Sequence, residues 1–132
     1  MKVRTNKLIL FVCQSNSGRS QMAQAFFNHR RQKTKAISAG IKPDREIHPW
    51  TIKVMKEVGI DVSRQRTRLL TYKLMEKADK IIIMDSGIRG YLPEKFLSKI
   101  MNWHIKQPWG KPIKEVRKIR DSIEKCVNQL FR

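Results

Sequence analysis

One short stretch, Cys13-Gln14-Ser15-Asn16-Ser17-Gly18-Arg19-Ser20, combines a nucleophile, a cation and small turn-forming residues. Together they suit binding of a tetrahedral oxyanion and attack on its central atom. The backbone N–H groups of Gln14, Ser15, Asn16, Ser17 and Gly18 can curl around an anion, and a helix starting at Arg19 adds its positive end. Arg19 offers a planar fork matched to two phosphate oxygens. Cys13 would lie at the floor of this positive bowl, where cations and amide dipoles favour the thiolate, the attacking form. Ser20 can donate a hydrogen bond to that sulfur. Asn16 tolerates a left-handed backbone and Gly18 tolerates any, which suits a sharp curl. Cys-x5-Arg alone also fits a cysteine that ends a strand before a polar turn, so the flanking elements decide.

Those elements agree with the chemical reading. Lys7–Val12 is a continuous apolar run of the kind found inside a parallel sheet. Arg19 to about Arg31 reads as a helix with Met22, Ala23, Phe26 and Phe27 on one side. Lys35–Ala39 reads as a second strand closed by Gly40. Pro49 opens a helix to Val58, with Ile52, Met55 and Val58 inward and Gly59 as its stop. Thr71–Lys77 reads as a short helix, Lys80–Met84 as a third buried strand, Gly87–Leu97 as helical and Ile100–Trp103 as a weak strand. Ile113, Val116, Ile119, Ile123, Val127 and Leu130 then recur at helical spacing. Alternating strands and helices predict a single α/β domain over residues 1–132, a three-layer sandwich around a parallel sheet. In such sheets ligands bind beyond the carboxyl ends of the strands, where the Cys13 loop lies.

Bulk properties narrow the setting. A chain of 132 residues with 40% apolar and 30% charged residues suits one compact domain rather than disorder or a membrane protein. Lys2, Arg4 and Lys7 before Leu8–Val12 imitate an export signal, but Cys13 and Gln14 end the apolar run too soon. Two cysteines cannot build a disulfide framework, so a reducing, cytoplasmic setting is expected. Three scattered His and two distant Cys give no metal-ligand spacing, and no cofactor is expected. The net charge of +18 favours anionic partners: a phosphorylated protein, a small phosphomonoester, or nucleic acid. Nucleic acid is the less favoured, because the basic run His29–Lys35 lacks interleaved aromatics.

The stretch from Phe11 to Phe26 resembles the signature of the low-molecular-weight protein tyrosine phosphatases and their arsenate reductase relatives. The likeness continues through Ser38-Ala39-Gly40, His48-Pro49, Val58–Ser63, Ala78-Asp79 and Met84-Asp85 to the closing helix near Pro112. The resemblance implies a four-stranded parallel sheet with helices on both sides. It implies a phosphocysteine at Cys13, oxyanion binding by Arg19, and Asn16, Ser20 and Ser38 bracing the loop. Hydrolysis of phosphotyrosine or aryl phosphomonoesters is the activity it implies. Arsenate reduction with an external thiol is the alternative, and a catalytically weak phosphate- or nucleic-acid-binding protein a further one.

The sequence departs from that pattern in two places. Family members carry a general acid in an Asp-Pro pair before the last helix, and Gln107-Pro108 stands there. No Asp or Glu occurs between Lys95 and Lys114, which leaves His104 as the nearest titratable candidate. Losing such an acid costs about 10²–10⁴ in rate. Gly18 occupies the place where the phosphatases often carry a second thiol, and Asp85, Ser86, Gly87 and Gly90 stand where the thioredoxin-coupled reductases need cysteines. Cys126, among the apolar positions of the last helix, is expected to be structural. Trp109 stands at the family's aromatic wall for the substrate ring.

Overall fold

The computed structural model describes residues 7–131. The basic residues Lys2 and Arg4 therefore lie outside the described part. β1 (Leu8–Cys13) is flanked by β2 (Lys35–Gly40) and β3 (Lys80–Ile83), with β4 (Ile100–Asn102) beyond β3. The order is β2-β1-β3-β4 and every pairing is parallel. β1 is thus hydrogen-bonded on both edges and covered on both faces, which is why its sequence is apolar without alternation.

The pleat divides the core. Leu10 and Val12 point to one face, packed with Ile81 and Ile83 under α3 (Tyr72–Lys77) and two 3-10 turns, Ser86–Tyr91 and Glu94–Lys99. Phe11 and Cys13 point to the other, beneath α1 (Arg19–His29), α2 (Pro49–Glu57) and α4 (Ile113–Gln129). Cys13 is therefore delivered by strand register to the face that α1 covers. The crevice beyond β1 lies where the chain order turns outward to β2 on one side and β3 on the other.

Several expectations need correction. Gly87–Leu97 is not one helix but two 3-10 turns, because Pro93 has no N–H to continue the ladder. α1 stops at His29, and Arg31 has a left-handed φ of 48°. In α2 the buried residues are Thr51, Val54 and Met55, whereas Val58 is half-exposed at the C-cap and Ile52 only partly covered. Gly59, at φ 82°, ends that helix as expected. α4 buries Val116, Ile123 and Val127, but the same stripe also buries Arg120. The Arg120 guanidinium donates to the Val54 carbonyl at 3.0 Å, to Glu57 at 2.8 Å and to Asp121 at 2.9 Å.

Candidate active site

The loop between β1 and α1 is held from outside by its carbonyls. Those of Cys13, Gln14 and Ser15 accept from the N–H groups of Ile41, Lys42 and Asp44 at 3.2, 2.9 and 2.9 Å. The Asn16 carbonyl accepts from Gln21 Nε2 at 3.0 Å. The Ser17 carbonyl accepts from the His48 N–H at 3.1 Å and the Thr51 hydroxyl at 2.8 Å. The Gly18 carbonyl accepts from Met22 as α1 begins. With every carbonyl from Cys13 to Gly18 taken from outside, the N–H groups are left to the inner side of the curl. Among the described residues none of those from Gln14 to Gly18 has a protein acceptor. That is the arrangement an oxyanion requires.

Two close approaches make the curl fit. Asn16 takes a left-handed φ of 52°. Gly40 sits beneath it: a Cβ there would come within 2.9 Å of both Asn16 N and Gln14 O. Backbone cannot yield as a flexible side-chain tip does, so the end of β2 must be glycine for this loop to lie down.

The nucleophile sits at the end of a short hydrogen-bond chain. Asn16 Nδ2 donates to Ser20 Oγ at 2.8 Å, and Ser20 Oγ lies 2.8 Å from Cys13 Sγ. Accepting from Asn16 leaves the Ser20 hydroxyl proton available for the sulfur. Asn16 Oδ1 accepts from the Arg68 N–H at 2.8 Å and from Gln21 Nε2 at 3.2 Å. Gln21, fully buried, also donates to the Arg66 carbonyl at 2.9 Å, and its Oε1 accepts from Gln65 Nε2 at 2.7 Å. A chain of amides and one hydroxyl thus runs from Gln65 to Cys13.

Arg19 is buried, and one guanidinium nitrogen is fully committed below the loop. Its NH1 donates to Asp85 Oδ2 at 2.6 Å and to the Ile105 carbonyl at 2.7 Å. The rest of the planar fork remains for an anion. Asp85 is itself oriented, since its other oxygen accepts from the Gly87 N–H at 2.9 Å. On the opposite rim Ser17 Oγ donates to Asp44 Oδ2 at 2.7 Å, so Ser15 donates to Ser17 at 2.9 Å. Gln14 is exposed at the mouth.

Trp109 reaches the cradle as a half-buried wall. Its ring stacks on His48 at 3.9 Å and 9°, and a Cβ on Gly18 would meet its Cζ2 at 2.5 Å. Gly18 is therefore what admits the ring. His48 Nδ1 accepts from the Trp50 N–H at 3.0 Å and so caps α2. Burial lowers the pKa of His48, with Asp44 opposing the shift.

The remaining assignments fare differently. Ser38 is buried, but its hydroxyl donates to Gln24 Oε1 at 2.6 Å, so it braces α1 rather than the loop. Gln107 is exposed. His104 lines a cleft of about 290 Å³ with Lys111, Glu115 and Ile119, on the α4 side, and no residue of the 13–19 loop borders that cleft. Cys126 is a partly buried free thiol whose pKa burial pushes up. Among the described residues no group of three His, Cys, Asp or Glu could hold a metal, and no helix is long and apolar enough to cross a membrane.

Sequence reasoning did not place Asp44, Thr51, Gln65 and Asp85 at the site, nor assign Gln21 a bracing role. Only the buried polar character of Gln21 inside an otherwise apolar helix face could have marked one of them.

A parallel sheet, a cysteine at the end of its inner strand and an arginine opening the next helix define a phosphate-cradling α/β protein. The model of the low-molecular-weight phosphotyrosine protein phosphatases matches residues 8–132, and the chain belongs to that family. Arsenate reductase 1 of Staphylococcus epidermidis is 34% identical over 124 residues, covering 92% of each chain. An arginine phosphatase from Geobacillus stearothermophilus superposes with a TM-score of 0.86 at 28% identity, covering 94% of this chain and 90% of that one. The low-molecular-weight tyrosine phosphatase of T. tengcongensis does so at 0.86 and 25%, covering 96% and 98%.

Proposed function

We propose that the chain is a cysteine-dependent phosphatase acting on phosphotyrosine or aryl phosphomonoesters through a phosphocysteine at Cys13. The observation that carries this is the Cys13 sulfur, 2.8 Å from the Ser20 hydroxyl, inside a loop whose carbonyls all face away. Cys13 attacks phosphorus, the loop N–H groups and Arg19 stabilise the equatorial oxygens, and Ser20 steadies the sulfur as nucleophile and leaving group. Trp109 supplies the wall for an aromatic substrate. Turnover is slow for reluctant leaving groups, because Gln107 cannot supply a proton. The two cysteines fit a cytoplasmic setting, and the +18 charge favours a phosphorylated protein or another anionic substrate.

Nitrophenol release from its phosphate ester, with Cys13→Ser as control, tests the proposal. Activity confined to the wild type is expected, and equal activity in both proteins would overturn it. The arsenate reductases among the relatives favour a second reading, in which arsenate occupies the same cradle. With one thiol in the loop, the Cys13 adduct would need an external thiol. Arsenite formation that appears only with added thiol, at a rate exceeding phosphate release, would put this reading first.

A further inference from the structure

Breaking the P–O bond of a phosphomonoester leaves negative charge on the departing oxygen. A tyrosine phenolate belongs to an acid of pKa about 10 and needs a proton, whereas a carboxylate belongs to one of about 4 and departs without one at neutral pH. The carboxylates at the edge of the cradle are each engaged. Asp85 is paired with Arg19 and accepts from Gly87. Asp44 accepts the Ser17 hydroxyl. His48 has its Nδ1 on the Trp50 N–H and its face on Trp109. His104 belongs to the cleft on the α4 side. The segment opposite the loop, from Lys95 to Lys114, contains no carboxylate.

We infer that this cradle is matched to acyl phosphates, mixed anhydrides of phosphate and a carboxylic acid. The inference rests on the phosphatase reading and changes the leaving group it assigns, from a phenol to a carboxylate. In the first half the Cys13 thiolate forms the S–P bond and the P–O bond breaks. The electron pair leaves on the carboxylate, and no proton moves. In the second half water attacks phosphorus and the S–P pair returns to sulfur as thiolate. The water proton passes to a phosphate oxygen or to solvent. A better leaving group relieves the first half alone, since the second always uses water.

Rapid-quench measurement of Cys13 phosphorylation by acetyl, nitrophenyl and phenyl phosphate tests it, with Cys13→Ser as control. Acetyl phosphate is expected to phosphorylate Cys13 at least as fast as nitrophenyl phosphate does. Phosphorylation by phenyl phosphate should be at least about 10²-fold slower than by nitrophenyl phosphate, the scale of an absent general acid. Gln107→Asp should raise the phenyl rate and leave the acetyl rate unchanged. Phenyl and nitrophenyl rates within threefold of each other would show a working proton donor and sink the leaving-group inference, leaving the phosphatase reading intact. Phosphorylation of Cys13 by acetyl phosphate slower than by phenyl phosphate would sink that inference as well. Phosphate release by Cys13→Ser equal to that of wild type, or no Cys13-dependent phosphorylation by any of the three, would overturn the phosphatase reading itself.

Discussion

The loop proposed to bind phosphate and the segment that should move the proton lie on facing sides of one crevice, and they are built to different standards. Residues 13–20 are held at many points: the loop carbonyls, the serine hydroxyls and the Asn16 amide each have a partner, drawn from α1, α2 and two connecting segments. Residues 103–111 are held mainly by backbone, through Trp103 N–H to the Ile83 carbonyl and Ile105 N–H to the Met84 carbonyl. Only Ile105 and Trp109 reach across, one to Arg19 and one to Gly18. The proposed anion binding and nucleophilic attack thus rest on a rigid frame, while among the described residues the facing segment offers no carboxylate for proton delivery. The two functions are separable because different stretches of chain supply them.

Breaking the well-built side should have the largest consequence. Arg19→Lys replaces a fork with a point charge and abandons the Asp85 geometry, so kcat/KM on nitrophenyl phosphate should fall by about 10²–10³, the scale for losing an oxyanion donor. Gly18→Ala sharpens the comparison by forcing the two sides apart. Its Cβ collides with Trp109, and the expected cost is about 1–3 kcal/mol in urea unfolding. Removing the ring as well, in Gly18→Ala/Trp109→Ala, should cost less than the two single changes summed.

Gln65→Leu leaves the buried Gln21 oxygen without its 2.7 Å donor. A loss of about 1–3 kcal/mol is expected in thermal or urea unfolding, with nitrophenyl turnover reduced because the Gln21 amide that braces Asn16 loses its own anchor. The smallest effect concerns acidity. The folded-state pKa of His48 lies below its unfolded value of 6.5. Its contribution to stability is therefore complete above that value and is lost as pH falls through the lower, folded one. The melting temperature of wild type relative to His48→Asn should decline as pH drops from 7 toward 5, and an increase would contradict the assignment.

The parts of this molecule that could be read from sequence are those coded locally. β1 announces itself by an unbroken apolar run, α4 by its stripe, and the nucleophilic loop by residue types adjacent in the chain. What could not be read depends on elements meeting at a distance. Asp85 reaches Arg19 across 66 positions and Gln65 reaches Gln21 across 44, pairs that exist only once β3 and the 60s segment take their places beside β1. The inward face of α2 was misjudged for a similar reason. Thr51 is buried not for hydrophobicity but because its hydroxyl binds the loop, and Val58 falls where the chain has already left the helix. Ser38 lies in register with Phe11, yet its hydroxyl goes to Gln24 rather than to the loop.

The buried arginine on α4 gives α2 a mechanical role. Arg120 fastens the far end of that helix through Val54 and Glu57, while His48 and Thr51 at the near end grip Ser17. The short helix is consequently a tie-rod between the C-terminal part of the chain and the phosphate cradle. Any event that loosens α4, whether truncation, mutation or a partner prying at its surface, would be transmitted along this rod as slack in the anion site, with no catalytic side chain altered.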